Sequence, residues 1–194
     1  MAYNLNNKLV IAISSRALFD LEEENQIFEK DGLDAYYKYQ LENEDKSLKK
    51  GTGYRLVENI LKINSFFSSD ERQVEVIILS KNNAATSLRI TNAINDLKLD
   101  IIRSAWTSGT NISNYLKAFK VDLFLSADDN DVLNAIENGV AAAKILPSNE
   151  NINNSSNNQV RIAFDGDAVL FSEESELIYK NNGLDAFIEH EKLN

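Results

Sequence analysis

Apolar residues fall along this chain in two rhythms. Short branched runs read as buried strands: LVIAIS (9–14), VEVIILS (74–80), DIIRSAW (100–106), VDLFLS (121–126) and AAAKIL (141–146). Between them the apolar positions recur at helical spacing. Residues 22–44 carry Ile27, Phe28, Leu33, Tyr36 and Tyr37 on a charged background, interrupted near Gly32. Residues 54–66, 84–97, 113–119 and 131–139 read as further helices, and the last ends at Gly139, a common helix stop. VRIAFD (160–165) predicts one more strand, and the residues from Glu173 onward one more helix. Alternation of this kind predicts a mainly parallel sheet with helices on both faces. Ligands of such sheets sit beyond the carboxyl ends of the strands, where Ser14, Ser80, Ser126 and Asp165 fall.

The stretch SNENINNSSNNQ (148–159) breaks this rhythm. It is polar throughout and reads as a linker. The expected organisation is one α/β half over 1–147, the linker over 148–159, and the start of a second half, strand plus helix, over 160–194. A lone strand in the second half leaves an unpaired edge. Such an edge favours association, so a homo-oligomer is one expectation.

Composition narrows the function classes. The chain has 194 residues, 20 basic and 30 acidic, for a net charge of −10. It has no basic patch to displace counterions, so a nucleic acid polymer is not an expected partner. No apolar run approaches the roughly 20 residues a bilayer span needs, so no membrane partner is expected. Cysteine is absent, which removes thiolate ligands and disulfides. The start, MAYNLNNKLVIAISS, lacks a charged leader region, and a cytoplasmic protein is expected. The single histidine, His190, lies in an E-H-E-K helix end and reads as a solvated residue.

An internal repeat singles out the chemistry. Residues 11–36 align with 162–187 at a constant offset of 151, with ten identities and no gap. Gly32-Leu33-Asp34-Ala35 matches Gly183-Leu184-Asp185-Ala186, and Tyr36 stands opposite Phe187. Duplication of one strand–helix unit explains this better than chance. The acids are what differ: Ser14 stands opposite Asp165, and Arg16 opposite Asp167. Carboxylates at the mouth of a buried strand cost stability unless something cationic meets them. If they served folding alone, both copies should keep them. The second copy therefore reads as a chemical site and the first as its non-catalytic twin.

A hydrophobic strand followed by Asp165-Gly166-Asp167-Ala168-Val169 resembles the first motif of haloacid-dehalogenase-like phosphotransferases. In residues i and i+2 leaving a strand, both carboxylates can face one phosphate. A carboxylate is an established covalent nucleophile for phosphoryl groups. Two acids facing a phosphate repel it, which makes a divalent cation nearly obligatory, and hard oxygen ligands suit Mg²⁺. The resemblance tightens over ISSRALFDLEEENQIFEKDGLDAYYKYQLENED, VEVIILSKN, YLKAFKVDLFLSADDNDV and IAFDGDAVLFSEESE. Together these are similar to the cytosolic 5′-nucleotidase I family, across residues 8–190. The resemblance implies a three-layer α/β haloacid-dehalogenase-like (Rossmann-like) fold and Mg²⁺-dependent hydrolysis of nucleoside 5′-monophosphates such as AMP. It implies Asp165 as nucleophile and Asp167 as general acid/base, both as Mg²⁺ ligands. Family members continue past the position of Asn194 with further catalytic elements.

The first half offers echoes of those elements. Ser80 stands where a phosphate-binding hydroxyl is expected, and Arg16 is a second phosphate-binding candidate, since Arg suits phosphate. Ser14-Ser15-Arg16 reads either as an effector phosphate site or as a capped strand end with a solvated Arg. Asp128-Asp129-Asn130-Asp131 reads as a helix cap cluster, placed late for metal ligands. Lys117 and Lys120 are lysine candidates by proximity alone. A second reading of the whole chain is a non-catalytic nucleotide-binding or interaction module.

Overall fold

The computed structural model describes residues 4–147, 159–164 and 172–193. The chain divides into two compact units, Met1–Asn158 and Gln159–Asn194. In the first unit the strands are β1 (Leu9–Ile13), β2 (Phe19–Asp20), β3 (Lys49–Lys50), β4 (Val74–Ser80), β5 (Arg103–Trp106), β6 (Leu123–Ser126) and β7 (Ala141–Lys144). The helices are α1 (Ser15–Leu18), α2 (Glu22–Glu42), α3 (Tyr54–Leu61), α4 (Leu88–Asp96), α5 (Ser113–Ala118) and α6 (Asp129–Glu137). The sheet runs β5-β4-β1-β6-β7, and every pairing in it is parallel. This is the α/β class expected, a five-stranded parallel sheet flanked by helices.

The alternation of side chains along each strand divides the core. Val10 and Ala12 of β1, Ile77 and Leu79 of β4 and Phe124 of β6 pack with Ile112 and Leu116 beside α5 and with Ala135 of α6. The intervening Ile13 points the other way, toward Gly53 at the start of α3. Residues Val10–Ile13 are at most 2% exposed, so β1 is buried on both faces, as its continuous apolar run requires.

Strand order matters for the site. From β1 the chain builds outward through β4 and β5, then returns to the opposite side of β1 with β6 and β7. That reversal leaves a crevice beyond the carboxyl ends of β4, β1 and β6, the natural ligand position in an open α/β sheet.

Two local differences from the sequence reading have clear causes. The helix expected from residue 84 begins at Leu88. Residues 84–87 are turns, because Asn83 and Thr86 bond reciprocally: Thr86 N donates to Asn83 Oδ1 (2.9 Å) and Asn83 N to Thr86 Oγ1 (3.1 Å). The pair β2–β3, antiparallel and two residues each, carried no periodic signal at all.

In the second unit the described residues 160–164 carry no strand, although VRIAFD reads as one. Ile162 and Phe164 are 58% and 61% exposed, and no described strand pairs with this segment. A strand without a neighbour leaves its backbone groups to water and gains nothing over coil. The remaining element is α7 (Glu174–Leu193). Ser175 Oγ donates to Glu191 Oε1 at 2.5 Å, across a separation that a straight helix would stretch to roughly 24 Å. The helix therefore folds back on itself at Gly183, where φ is 84°. The corresponding fold in α2 occurs at Gly32, with φ 85°.

Candidate functional site

Ser14 leaves β1 with its backbone N–H donating to Leu125 O (2.9 Å), which ties it to β6. Its hydroxyl then caps the short α1 by accepting from Ala17 N (3.3 Å). Behind this turn, Gly51 N donates to Leu18 O and Gly53 N to Ala17 O, both at 2.9 Å. The approach admits only glycine: a Cβ at Gly53 would lie 2.7 Å from Ala17 O, and one at Gly51 2.7 Å from the carbonyl carbon of Phe19. Two glycines in sequence thus set the height at which residues 14–16 stand above the sheet.

The hydroxyls at the strand ends form two linked chains. Ser80 Oγ donates to Asn82 Oδ1 (2.9 Å), so Ser15 Oγ must supply the proton in its 2.9 Å contact with Ser80 Oγ. Ser126 Oγ donates to Ser14 Oγ (3.3 Å) and accepts from Asp128 N (3.2 Å). Asn82 Nδ2 reaches over to Tyr36 Oη of α2 (2.9 Å), joining the sheet edge to the folded helix above it. Burial raises the Tyr36 phenol above its ordinary range, and the hydrogen bonds from Gln40 and Asn82 work against that rise.

The folded α2 is anchored by a buried ion pair. Arg89 Nη1 of α4 meets Glu24 Oε1 at 2.5 Å, and Arg89 Nε donates to Lys46 O at 3.0 Å. Beneath this overhang lies a cavity of about 640 Å³. Ser14, Arg16, Ser80, Lys81 and Ser126 line its floor side, and Phe28, Leu33 and Tyr36 its helical side. The Phe28 and Tyr36 rings pack edge to face with centroids 5.9 Å apart.

Of the residues expected from sequence, Ser80 and Arg16 both line this cavity. Arg16 Nη2 also faces Glu22 Oε2 at 3.3 Å, a pair open to water. Asp128 lines the cavity as the cap of α6, accepting from Asp131 N (3.0 Å), which is the cap role its position suggested. Asp129 pairs with Lys144 (2.7 Å) and is not among the lining residues. Neither Lys117 nor Lys120 lines the cavity, and Lys120 Nζ bonds Asn6 Oδ1 instead. The lysine that does is Lys81, which the sequence reading missed although it directly follows Ser80. Lys81 Nζ meets Asp131 Oδ1 at 2.6 Å, and burial raises the Asp131 carboxyl against that partner's pull. Asp165 and Asp167 lie outside the described residues. His190 is not the freely solvated residue expected: it lies against Ser175 and within 3.8 Å of Glu174.

The Mg²⁺ implied by the resemblance is assigned to Asp165 and Asp167, outside the described residues, and the described cavity presents a different donor set. Mg²⁺ is usually held by one or two free carboxylates beside waters and a substrate phosphate. Of the acids lining the cavity, Glu24 faces Arg89, Asp131 faces Lys81 and Asp128 caps a helix. At the end of β1 stand a hydroxyl and a guanidinium instead. Among the described residues no group of three or more His, Cys, Asp or Glu side chains could hold a metal ion. Among the described residues, the lining of this cavity therefore offers no pair of free carboxylates for Mg²⁺.

Two comparisons bear on identity. A family model described as 5′-nucleotidase matches residues 1–194. The chain is 35% identical over 191 residues to cytosolic 5′-nucleotidase 1B of Homo sapiens, an alignment covering 96% of this chain. The chain spans 31% of that relative's length. Among the described residues no helix is long and apolar enough to cross a membrane. The repeat with its exchanged acids, the parallel sheet and the match along the whole chain converge: the chain belongs to the cytosolic 5′-nucleotidase I family.

Proposed function

We propose that this chain takes part in the hydrolysis of nucleoside 5′-monophosphates, AMP among them, in the cytoplasm. Asp165 is the nucleophile and Asp167 the general acid/base. A carboxylate oxygen of Asp165 forms the new bond to phosphorus as the bond to the 5′ oxygen breaks. Asp167 delivers its proton to that leaving oxygen, and the nucleoside departs. Asp167 then takes a proton from water, whose oxygen displaces Asp165 from phosphorus and releases inorganic phosphate. Mg²⁺ bound by the same two acids would offset the repulsion between carboxylates and phosphate.

The observation that supports this reading most is the asymmetry of the repeat. Its helical parts share one geometry at Gly32 and Gly183, yet only the second copy carries the acid pair. The family match over residues 1–194 supports the substrate class.

The test is phosphate release from AMP by this chain with Mg²⁺, in the wild type and in Asp165→Asn. Release by the wild type and none above background by the variant is the expected result. Release that persists in Asp165→Asn refutes the nucleophile assignment. No release by the wild type shows that the residues of this chain do not suffice for the reaction by themselves.

A further inference from the structure

We propose that the cavity beyond β1, β4 and β6 binds a phosphate monoester carrying an aromatic base, without a metal ion and without cleaving it. A nucleoside 5′-monophosphate is the simplest such molecule. The inference concerns the first copy of the repeat and stands whether or not Asp165 and Asp167 act as proposed above.

Hydrogen-bond accounting points to an anion at the floor. Ser14 is only 8% exposed, and its Oγ already accepts from Ala17 N and from Ser126 Oγ. A hydroxyl has one proton to give, and that of Ser14 has no acceptor among the described residues. The Ser15 and Ser80 protons, by contrast, are spent on Ser80 and Asn82. A donor at the wall of a cavity with its proton uncommitted is available to an oxygen of a ligand that displaces water there. Ser14 occupies the repeat position of Asp165, so a phosphate oxygen would be met there by a donor and not by a nucleophile.

The charges agree. Arg16 stands at the repeat position of Asp167 and supplies fixed positive charge where the second copy has an acid. Its pair with Glu22, at 3.3 Å and with both side chains at least 36% exposed, is of the weak kind that a phosphate can displace. Lys81 adds a second cation to the lining. Glu24 is taken up by Arg89 and Asp131 by Lys81, so Arg16 is the cation left to meet a phosphate, with Asp128 at the cap of α6 as the opposing acid of the lining. Among the described residues no group of three or more acids or histidines could hold a metal ion, so the phosphate is expected to rest on Ser14 and Arg16 without one.

The helical side fits a base. Phe28 and Leu33 are 48% and 60% exposed while lining a cavity, and Tyr36 crosses Phe28 edge to face. An aromatic face left open beside a polar floor is a stacking platform at the right end of a two-ended ligand. The volume of about 640 Å³ lies within the usual range of small-molecule sites.

Cleavage is not expected. Ser14 has no histidine or free carboxylate among its bonded partners to take its proton, so its hydroxyl stays a weak nucleophile.

The test is calorimetric titration of the 194-residue chain with AMP, and separately with inorganic phosphate, in EDTA. AMP should bind saturably without metal. The Asp165→Asn/Asp167→Asn double variant should bind within about twofold of wild type, and Arg16→Ala should weaken binding about tenfold or more. Phe28→Ala should weaken AMP but leave inorganic phosphate unchanged. A melting curve checks that Arg16→Ala is folded; if it is not, Arg16→Lys and the AMP-induced shifts of the Ser14 and Ser80 amides by NMR serve instead. The proposal is overturned if AMP shows no saturable binding in EDTA. It is equally overturned if binding survives Arg16→Ala but vanishes in the double variant, which would place the ligand at the acid pair. Phosphate release is a separate readout, so this inference and the hydrolytic reading can fail independently.

Discussion

Gly32 and Gly183 adopt one backbone conformation, φ/ψ of 85°/−175° and 84°/−177°, at positions 151 apart in the sequence. The likeness extends to the rings around them. Phe28 and Tyr36 cross at 77° with centroids 5.9 Å apart, while their repeat partners Tyr179 and Phe187 cross at 77° with centroids 6.1 Å apart. The duplicated unit is thus a folded-back helix closed by an aromatic pair, and the duplication is structural as well as textual.

This backbone region is essentially restricted to glycine, because a Cβ collides with the flanking peptide. Space is not the obstacle, since a Cβ at either position would meet nothing within 4 Å. Gly32→Ala is therefore expected to cost about 1–3 kcal/mol through backbone strain alone. Urea unfolding of the variant checks this, and an unchanged midpoint would show that the fold-back does not need glycine.

The Glu24–Arg89 pair should carry much of the docking of α2. Both side chains are below 10% exposed. Glu24→Ala leaves Arg89 buried without its carboxylate, with the Lys46 carbonyl still accepting from its Nε, a loss of about 3–5 kcal/mol, whereas an exposed pair contributes at most about 1 kcal/mol. Chemical denaturation distinguishes the two. The i,i+4 pair Lys38–Glu42, with side chains more than 60% exposed, is the control that should show little effect.

Gly53→Ala tests how residues 14–16 are held. Its Cβ would stand 2.7 Å from Ala17 O and 3.0 Å from Ile13 Cδ1, and the first of these atoms is backbone that cannot rotate away. Overpacking of this kind costs about 1–3 kcal/mol. A lower melting temperature is expected, together with weaker metal-free AMP binding because α1 is displaced. Wild-type stability and binding in this variant would show that the turn over 51–53 is not a brace.

Tyr54 gives the protein a defined alkaline weakness. The side chain is buried at 3% exposure, and burial followed by the neighbouring Glu58 pushes its phenol up to about 12 from 10.0. The folded value lies above the unfolded one. The stability linked to this group is therefore complete below pH 10 and is lost as pH rises through about 12. Tyr54→Phe lacks that proton. The melting temperature of the wild type should accordingly fall relative to Tyr54→Phe over this window, and parallel curves for the two proteins would contradict the assignment.

The order of apolar runs was enough to read the parallel sheet, because strands buried on both faces, such as β1 and β4, need unbroken hydrophobic stretches. The interruption near Gly32 and the cap at Asp128 were equally legible, since each rests on local backbone chemistry, whereas the fold-back of the helix at that glycine was not. So was the exchange of Asp165 and Asp167 for Ser14 and Arg16, which is a property of the text itself. Pairing was not legible. VRIAFD has the composition of a strand, but a strand exists only where a neighbour takes its hydrogen bonds, and residues 160–164 have none among the described strands. Nor was the lysine of the cavity: proximity along the chain favoured Lys117 and Lys120, while the register of β4 carries Lys81 to the lining. The sequence by itself determined which residues were chemically unusual, because residue type and local periodicity are one-dimensional properties. Only the tertiary structure decided which of them meet, because a cavity at the reversal point of a sheet is made by strand order, and strand order is set by packing between segments far apart in the chain.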